Sequence, residues 1–144
     1  MRICIFGAGA VGGHIAARFA AAGHAVSVFA RGAHLAAMQA RGIELRSADE
    51  VVNAKVNGGD KAAALGKQDI VFVTLKANML DLFAANASAL LDRDTPVVFV
   101  QNGIPWWYAQ GISNTRPTPP DLSKLDPGGA LAKAIAPERV VGAV

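Results

Sequence analysis

The sequence predicts an α/β fold built as a doubly wound, mostly parallel sheet. Three observations carry that expectation. A short apolar strand at 2–6 runs directly into Gly7-Ala-Gly-Ala-Val-Gly12. Apolar runs recur at Ile70-Val-Phe-Val73 and Val97-Val-Phe-Val100, unbroken rather than alternating, as suits parallel strands covered on both faces. Segments of helical period lie between these runs, the pattern of successive βαβ units.

Each element has its own signal. Met1-Arg-Ile-Cys-Ile-Phe6 supplies strand 2–6. Helix 11–22 follows, with Val11, Ile15 and Phe19 at i, i+4 and i+8 expected on its inner face, and Gly23 stops it. Val26-Ser-Val-Phe29 forms most of strand 25–30, and helix 33–41 closes at Gly42. Ile43–Arg46 and Val51–Val56 read as a strand pair joined by the polar Ser47-Ala-Asp-Glu50. A short helix near 60–66 precedes strand 70–73. Helix 78–91 aligns Leu80, Phe83, Ala87 and Leu90/Leu91 in one stripe ahead of strand 97–100. Ile104–Gly111 is aromatic-rich, and Pro117, Pro119, Pro120 and Pro127 mark 112–129 as a loop, long enough to be functional or disordered. Leu131–Ala136 reads as a short helix and Arg139–Val144 as a last strand, with no internal repeats.

Length and composition set bounds. At 144 residues the natural count is one domain, spanning 1–144, with no second domain in the chain. Such a domain buries about two-thirds of the surface that its unfolded chain exposes. Hydrophobic residues make up 52% and mean hydropathy is +0.31, yet no apolar run reaches transmembrane length. The N-terminus lacks a signal-peptide pattern, so a cytoplasmic location is expected. The net charge of +3 comes from scattered Lys and Arg, which argues against nucleic acid and suits an anionic cofactor and an acidic substrate. His14, His24 and His34 fall on different elements, and no metal-ligand spacing occurs. The lone Cys4 sits mid-strand, as a small buried hydrophobe would.

The glycine motif carries chemistry. In a Rossmann-type βαβ unit, Gly7 permits the tight turn, Gly9 lets the backbone approach a pyrophosphate, and Gly12 lets helix and strand pack closely. With Ala8, Ala10 and Val11 these residues form the expected cofactor loop, and the following helix N-terminus faces the phosphates. Strand 25–30 is followed by Arg31, about 20 positions beyond Gly12, where an acid would bind the ribose of NAD. No Asp or Glu lies between Met1 and Ile43. A guanidinium at this position accommodates a 2′-phosphate, so NADP(H) is the expected cofactor. Lys76 and the Asn102-Gly103 pair also follow apolar strands, where ligands collect in such sheets. Position alone leaves them open to two readings: cofactor and substrate contacts, or a solvated lysine and a simple turn.

Gly7-Ala-Gly-Ala-Val-Gly12, Ala30-Arg31-Gly32, Val73-Thr-Leu-Lys-Ala77 and Gln101-Asn-Gly-Ile-Pro-Trp-Trp-Tyr108 together resemble the ketopantoate reductase family (2-dehydropantoate 2-reductase). The resemblance runs the whole chain, and the last two segments are its specific part. It implies NADPH-dependent reduction of ketopantoate, or another 2-keto acid, on the way to pantothenate. It also implies that Lys76 and Asn102 contact cofactor and substrate. Family members continue into a helical C-terminal domain holding the general-acid lysine and a substrate-binding glutamate. This chain carries neither region, so the resemblance implies the cofactor-binding half, with the C-terminal helical catalytic domain absent and no confident catalytic residue. Its expected partners are that domain or further copies of the chain, with at least one of Trp106, Trp107 and Tyr108 facing the interdomain surface. Isolated, it is expected to bind cofactor but act poorly or not at all. Two alternatives are a non-catalytic nucleotide-sensing Rossmann module and an opine-type dehydrogenase. Arg31, with Lys76 and Asn102, speaks against the first; the Gln-Asn-Gly-Ile-Pro segment speaks against the second.

Overall fold

The computed structural model describes residues 1–110 and 121–144. Its elements in order are β1 (Arg2–Phe6), α1 (Ala10–Ala21), β2 (Ala25–Phe29), α2 (Gly32–Arg41), β3 (Ile43–Arg46), β4 (Val51–Ala54), β5 (Asn57–Gly59), α3 (Ala62–Leu65), β6 (Ile70–Val73), α4 (Leu80–Leu90), β7 (Val97–Val100), α5 (Ala130–Ala134) and β8 (Val140–Ala143). Short 3₁₀ turns precede α4 (Ala77–Met79), α5 (Pro127–Gly129) and β8 (Pro137–Arg139). The expected loop at 112–129 lies outside the described residues as far as 120. From 121 onward it is turns ending in the Pro127–Gly129 turn.

Six strands form one sheet in the order β5-β2-β1-β6-β7-β8, and every neighbouring pair is parallel. The chain winds outward from β1 through β2 to β5, crosses back to β6, and winds outward again to β8. Strand order therefore reverses between β1 and β6, and the crevice beyond their C-terminal ends is where such a sheet takes its ligand. This is the α/β Rossmann-like architecture expected from the sequence.

The strands sort their side chains by parity, because successive residues point to opposite faces. Ile3, Ile5, Val26, Val28 and Ala30 join Ala16 and Met38 under α1 and α2. Cys4, Phe6, Phe29, Val71, Val73, Val97 and Phe99 join Phe83, Leu90, Leu131 and Ile135 under α4 and α5. Phe6 centres the second layer, stacked on Phe29 at 4.1 Å and edge-on to Phe83 at 5.1 Å. Burial pushes the Cys4 thiol up to about 12, against a smaller lowering from its hydrogen bond to the Phe29 backbone, so it remains a neutral apolar side chain.

β3 and β4 form the expected strand pair, which is antiparallel and runs from Ile43–Ala54 to Arg46–Val51. They pack on α1 through Val52, Ala54 and Ala17, and Arg18 reaches Glu50 at 2.6 Å across the exposed rim. β4 is shorter than the expected 51–56, and the chain re-enters the main sheet as β5. An Asn-Gly-Gly strand runs against local propensity. Packing overrides it: a Cβ at Gly58 would meet Leu35 Cδ1 at 3.0 Å, and one at Gly59 would meet Leu65 Cδ2 at 3.0 Å. The inner face expected for helix 11–22 needs correction as well. Gly12, Ala16 and Ala17 are its buried residues, Ile15 and Phe19 are half-buried, and Val11 is 54% exposed. Val11 sits in the first turn, which overhangs the end of the sheet instead of lying on it.

Candidate functional site

The glycine loop occupies the reversal point of the sheet. Gly7 continues β1 with its N–H donated to the Phe29 carbonyl at 3.2 Å, and its φ of +121° is open only to glycine. Thr74, just past β6, closes the loop from the other side. Its Oγ donates to the Gly7 carbonyl at 2.7 Å and its N–H to the Phe6 carbonyl at 3.1 Å. Gly12 lies directly above this knot. A Cβ there would overlap the Gly7 carbonyl oxygen and stand 2.5 Å from Thr74 Oγ. Gly9 is the opposite case. It caps α1 in extended geometry (φ −72°, ψ −173°), and a Cβ on it would meet nothing within 4 Å. Gly7 and Gly12 are thus held by internal contacts, while Gly9 borders open space. The first N–H groups of α1, which lack intrahelical partners, emerge beside it.

Thr74 is a site residue that position reasoning passed over, because its partner is 67 positions away. Thr74→Val removes the hydroxyl and keeps the branched shape. It should lower unfolding stability by about 1 kcal/mol, read as a shift in the urea midpoint at constant slope.

Three clefts open along the C-terminal ends of the strands. The first, about 340 Å³, is lined by Gly7, Ala8, Gly9, Arg31, His34 and Leu75, among others. Arg31 is the N-cap residue of α2 in extended geometry and makes no side-chain capping bond. It is exposed and forms no ion pair among the described residues. Its guanidinium is therefore uncommitted, in the same cleft as Gly9. The second cleft, about 290 Å³, brings Val11, Thr74, Lys76, Gln101 and Asn102 together. Lys76 and Asn102 are exposed, and Gly103 after Asn102 has φ +97°. Gln101 ties the two loops, its Nε2 donating to the Leu75 carbonyl at 2.7 Å. The third cleft, about 310 Å³, continues past Asn102 over Phe99, Trp106, Trp107 and Val144. Trp106 is buried edge-on to Phe99, Trp107 is half-buried over Gly142, and Tyr108 is 49% exposed, so one of the three aromatics faces outward.

Of the nine residues singled out in the sequence, Gly7, Ala8, Gly9 and Arg31 line the first cleft and Val11, Lys76 and Asn102 the second; Ala10 lines a neighbouring cleft beside His34, and Gly12 is buried in the first turn of α1. No group of three metal-binding side chains occurs among the described residues, and no described helix is long and apolar enough to cross a membrane. Chemically, the crevice offers free backbone N–H groups and a guanidinium at one end, with an ammonium and an amide at the other. That is the complement of an elongated, phosphate-bearing ligand whose far end is polar and neutral or acidic.

Residues 3–105 match the family model described as ketopantoate reductase PanE/ApbA. A curated 2-dehydropantoate 2-reductase of Mesorhizobium japonicum is 46% identical over 149 residues, covering 100% of this chain and 44% of the relative. A crystal structure from Ralstonia solanacearum MolK2, described as a candidate ketopantoate reductase, superposes with a TM-score of 0.83 at 43% identity, over 98% of this chain and 43% of that one. A PanE/ApbA family ketopantoate reductase from Ralstonia eutropha JMP134 gives 0.67 at 32% identity, over 72% and 35%. The chain spans less than half the length of each relative.

Proposed function

The chain belongs to the ketopantoate reductase PanE/ApbA family, and from that premise we propose that residues 1–144 form the NADPH-binding domain of a 2-dehydropantoate 2-reductase-like oxidoreductase. The observation that carries this reading is the first cleft, where the open face of Gly9 and the unpaired Arg31 stand together at the point where strand order reverses. The loop from Gly7 to Gly12 takes the pyrophosphate on its N–H groups, with Ala8, Ala10 and Val11 holding its shape, and Arg31 clamps the 2′-phosphate.

When bound, the cofactor supplies a hydride to the carbonyl carbon of a 2-keto acid such as ketopantoate. The chain's own residues bind and orient. Asn102 offers a donor and an acceptor to the nicotinamide ribose or the keto group, and the Lys76 ammonium draws the substrate carboxylate. Val11, at the head of α1, gives this cleft an apolar side that limits water. A proton donor to the forming alkoxide is the missing part, since Lys76 is the only cation lining this cleft among the described residues and is assigned to binding. The remaining function is expected from a helical domain like that implied by the family, or from another copy of the chain. Pantothenate supply and a cytoplasmic location belong to the same reading, which the buried, unreactive Cys4 suits.

Titration of the 144-residue chain, followed by nicotinamide fluorescence, should show NADPH binding more tightly than NADH. Adding ketopantoate should then give NADPH oxidation slower by about 10²–10⁴-fold than that of a longer relative, the usual contribution of a placed general acid. Failure to bind NADPH, or equal affinity for NADH, would overturn the cofactor reading; brisk turnover would overturn the division of labour.

A further inference from the structure

The crevice contains one polar tie that the family reading leaves unused. His34, in the first turn of α2, places Nδ1 3.1 Å from the carbonyl oxygen of Ala8 in the glycine loop. A carbonyl can only accept, so in this contact Nδ1 carries the proton and donates it. The bond joins two arms of the site that are separate in sequence. One is the β1–α1 loop bearing Gly9, and the other is the α2 N-terminus bearing Arg31, three residues before His34. The ring lines the cleft shared by Gly9 and Arg31, and it also lines the neighbouring one under Met38, Ile43 and Glu44. It therefore stands as the wall between them.

Ala8 is the residue with most need of such a tie. Gly7 is anchored on both sides, by its N–H to Phe29 and its carbonyl to Thr74, and Gly9 is anchored through its carbonyl to the Gly13 N–H at 2.8 Å. Between them, the Ala8 carbonyl has His34 as its bond among the described residues. We propose that His34 is a positioning residue for the cofactor. It fixes the Ala8 peptide, and with it the orientation of the loop's free N–H groups toward the pyrophosphate. This rests on the proposed cofactor reading, but it concerns a residue that reading does not require.

The side-chain chemistry supplies the test. Asparagine places an amide N–H close to where imidazole Nδ1–H stands, whereas alanine places nothing. His34→Ala should weaken both NADPH and NADH by about five- to tenfold, the loss of one hydrogen bond, because the pyrophosphate is common to both. His34→Asn should recover affinity to within about twofold. Equal affinities for wild type and His34→Ala, or an asparagine variant no better than alanine, would overturn the proposal. Amide exchange of the cofactor-free chain provides a second readout. Gly13, whose N–H bonds the Gly9 carbonyl within the loop, and Gly7, whose N–H ties the loop to the Phe29 carbonyl, should exchange faster in His34→Ala and not in His34→Asn. If the wild-type chain bound neither cofactor, the cofactor reading would fall, and this exchange pattern would still decide whether His34 orders the loop.

Discussion

Valine at Gly12 should unfold the domain's core motif, while valine at Gly9 should leave the fold intact and remove the cofactor. The two positions are three residues apart in the same motif, and the structure separates them fully. At Gly12 the new Cβ falls on the Gly7 carbonyl oxygen and against Thr74. Neither can give way, since Gly7 is hydrogen-bonded through its N–H and its carbonyl, and the helix is packed on the sheet through Ala16 and Ala17. A loss of about 3 kcal/mol or more is expected, at the upper end of overpacking costs. It would appear as a large fall in the urea midpoint, with cofactor binding lost as a consequence. At Gly9 the new side chain enters empty space, and φ of −72° is one that valine adopts without strain. Stability should stay within about 0.5 kcal/mol of wild type, and NADPH affinity should fall by roughly a hundredfold or more as the pyrophosphate loses its approach. Normal NADPH binding by Gly9→Val would place the phosphate site elsewhere. A stable, well-folded Gly12→Val would contradict the packing described for the loop.

The second large effect is on selectivity. Arg31→Ala should weaken NADPH by about ten- to a hundredfold, equivalent to one strong charged hydrogen-bonded contact, and leave NADH nearly unchanged. The two Kd values measured side by side decide it. A parallel loss for both cofactors would mean that Arg31 senses the pyrophosphate or the loop, not the 2′-phosphate. Read beside His34→Ala, expected to affect both cofactors alike, the pair distinguishes a phosphate clamp from a loop brace.

Much of this architecture was legible in the chain because its signals are local. The strand–glycine–helix unit, the cation after β2 and the unbroken apolar runs of β6 and β7 each declare themselves within a few residues, and all three fell where expected. The parts that were not legible depend on distant partners. β5 pairs with β2 where Leu35, Met38 and Leu65 pack closely over Gly58 and Gly59, and no property of Asn-Gly-Gly announces this. Thr74 and His34 look like ordinary polar residues until the fold sets them against Gly7 and Ala8. Val11 fits the helical period of Ile15 and Phe19, yet the period is blind to where a helix overruns the sheet beneath it. Short-range chemistry marked the proposed cofactor site, and long-range hydrogen bonds shape its loop.

The backbone at Arg31 has one further consequence. The residue opens α2 from an extended conformation, the position where aspartate, asparagine, serine or threonine would bond the first free N–H groups of the helix, and arginine leaves them uncapped. An aspartate there would strengthen the helix start by about 1 kcal/mol and would also face a ribose diol in place of a phosphate. Stability and cofactor choice therefore pull in opposite directions at this single codon. A lineage drifting toward NADH would grow more robust as it changed allegiance, whereas one that keeps NADPH must hold a weakened helix start under selection.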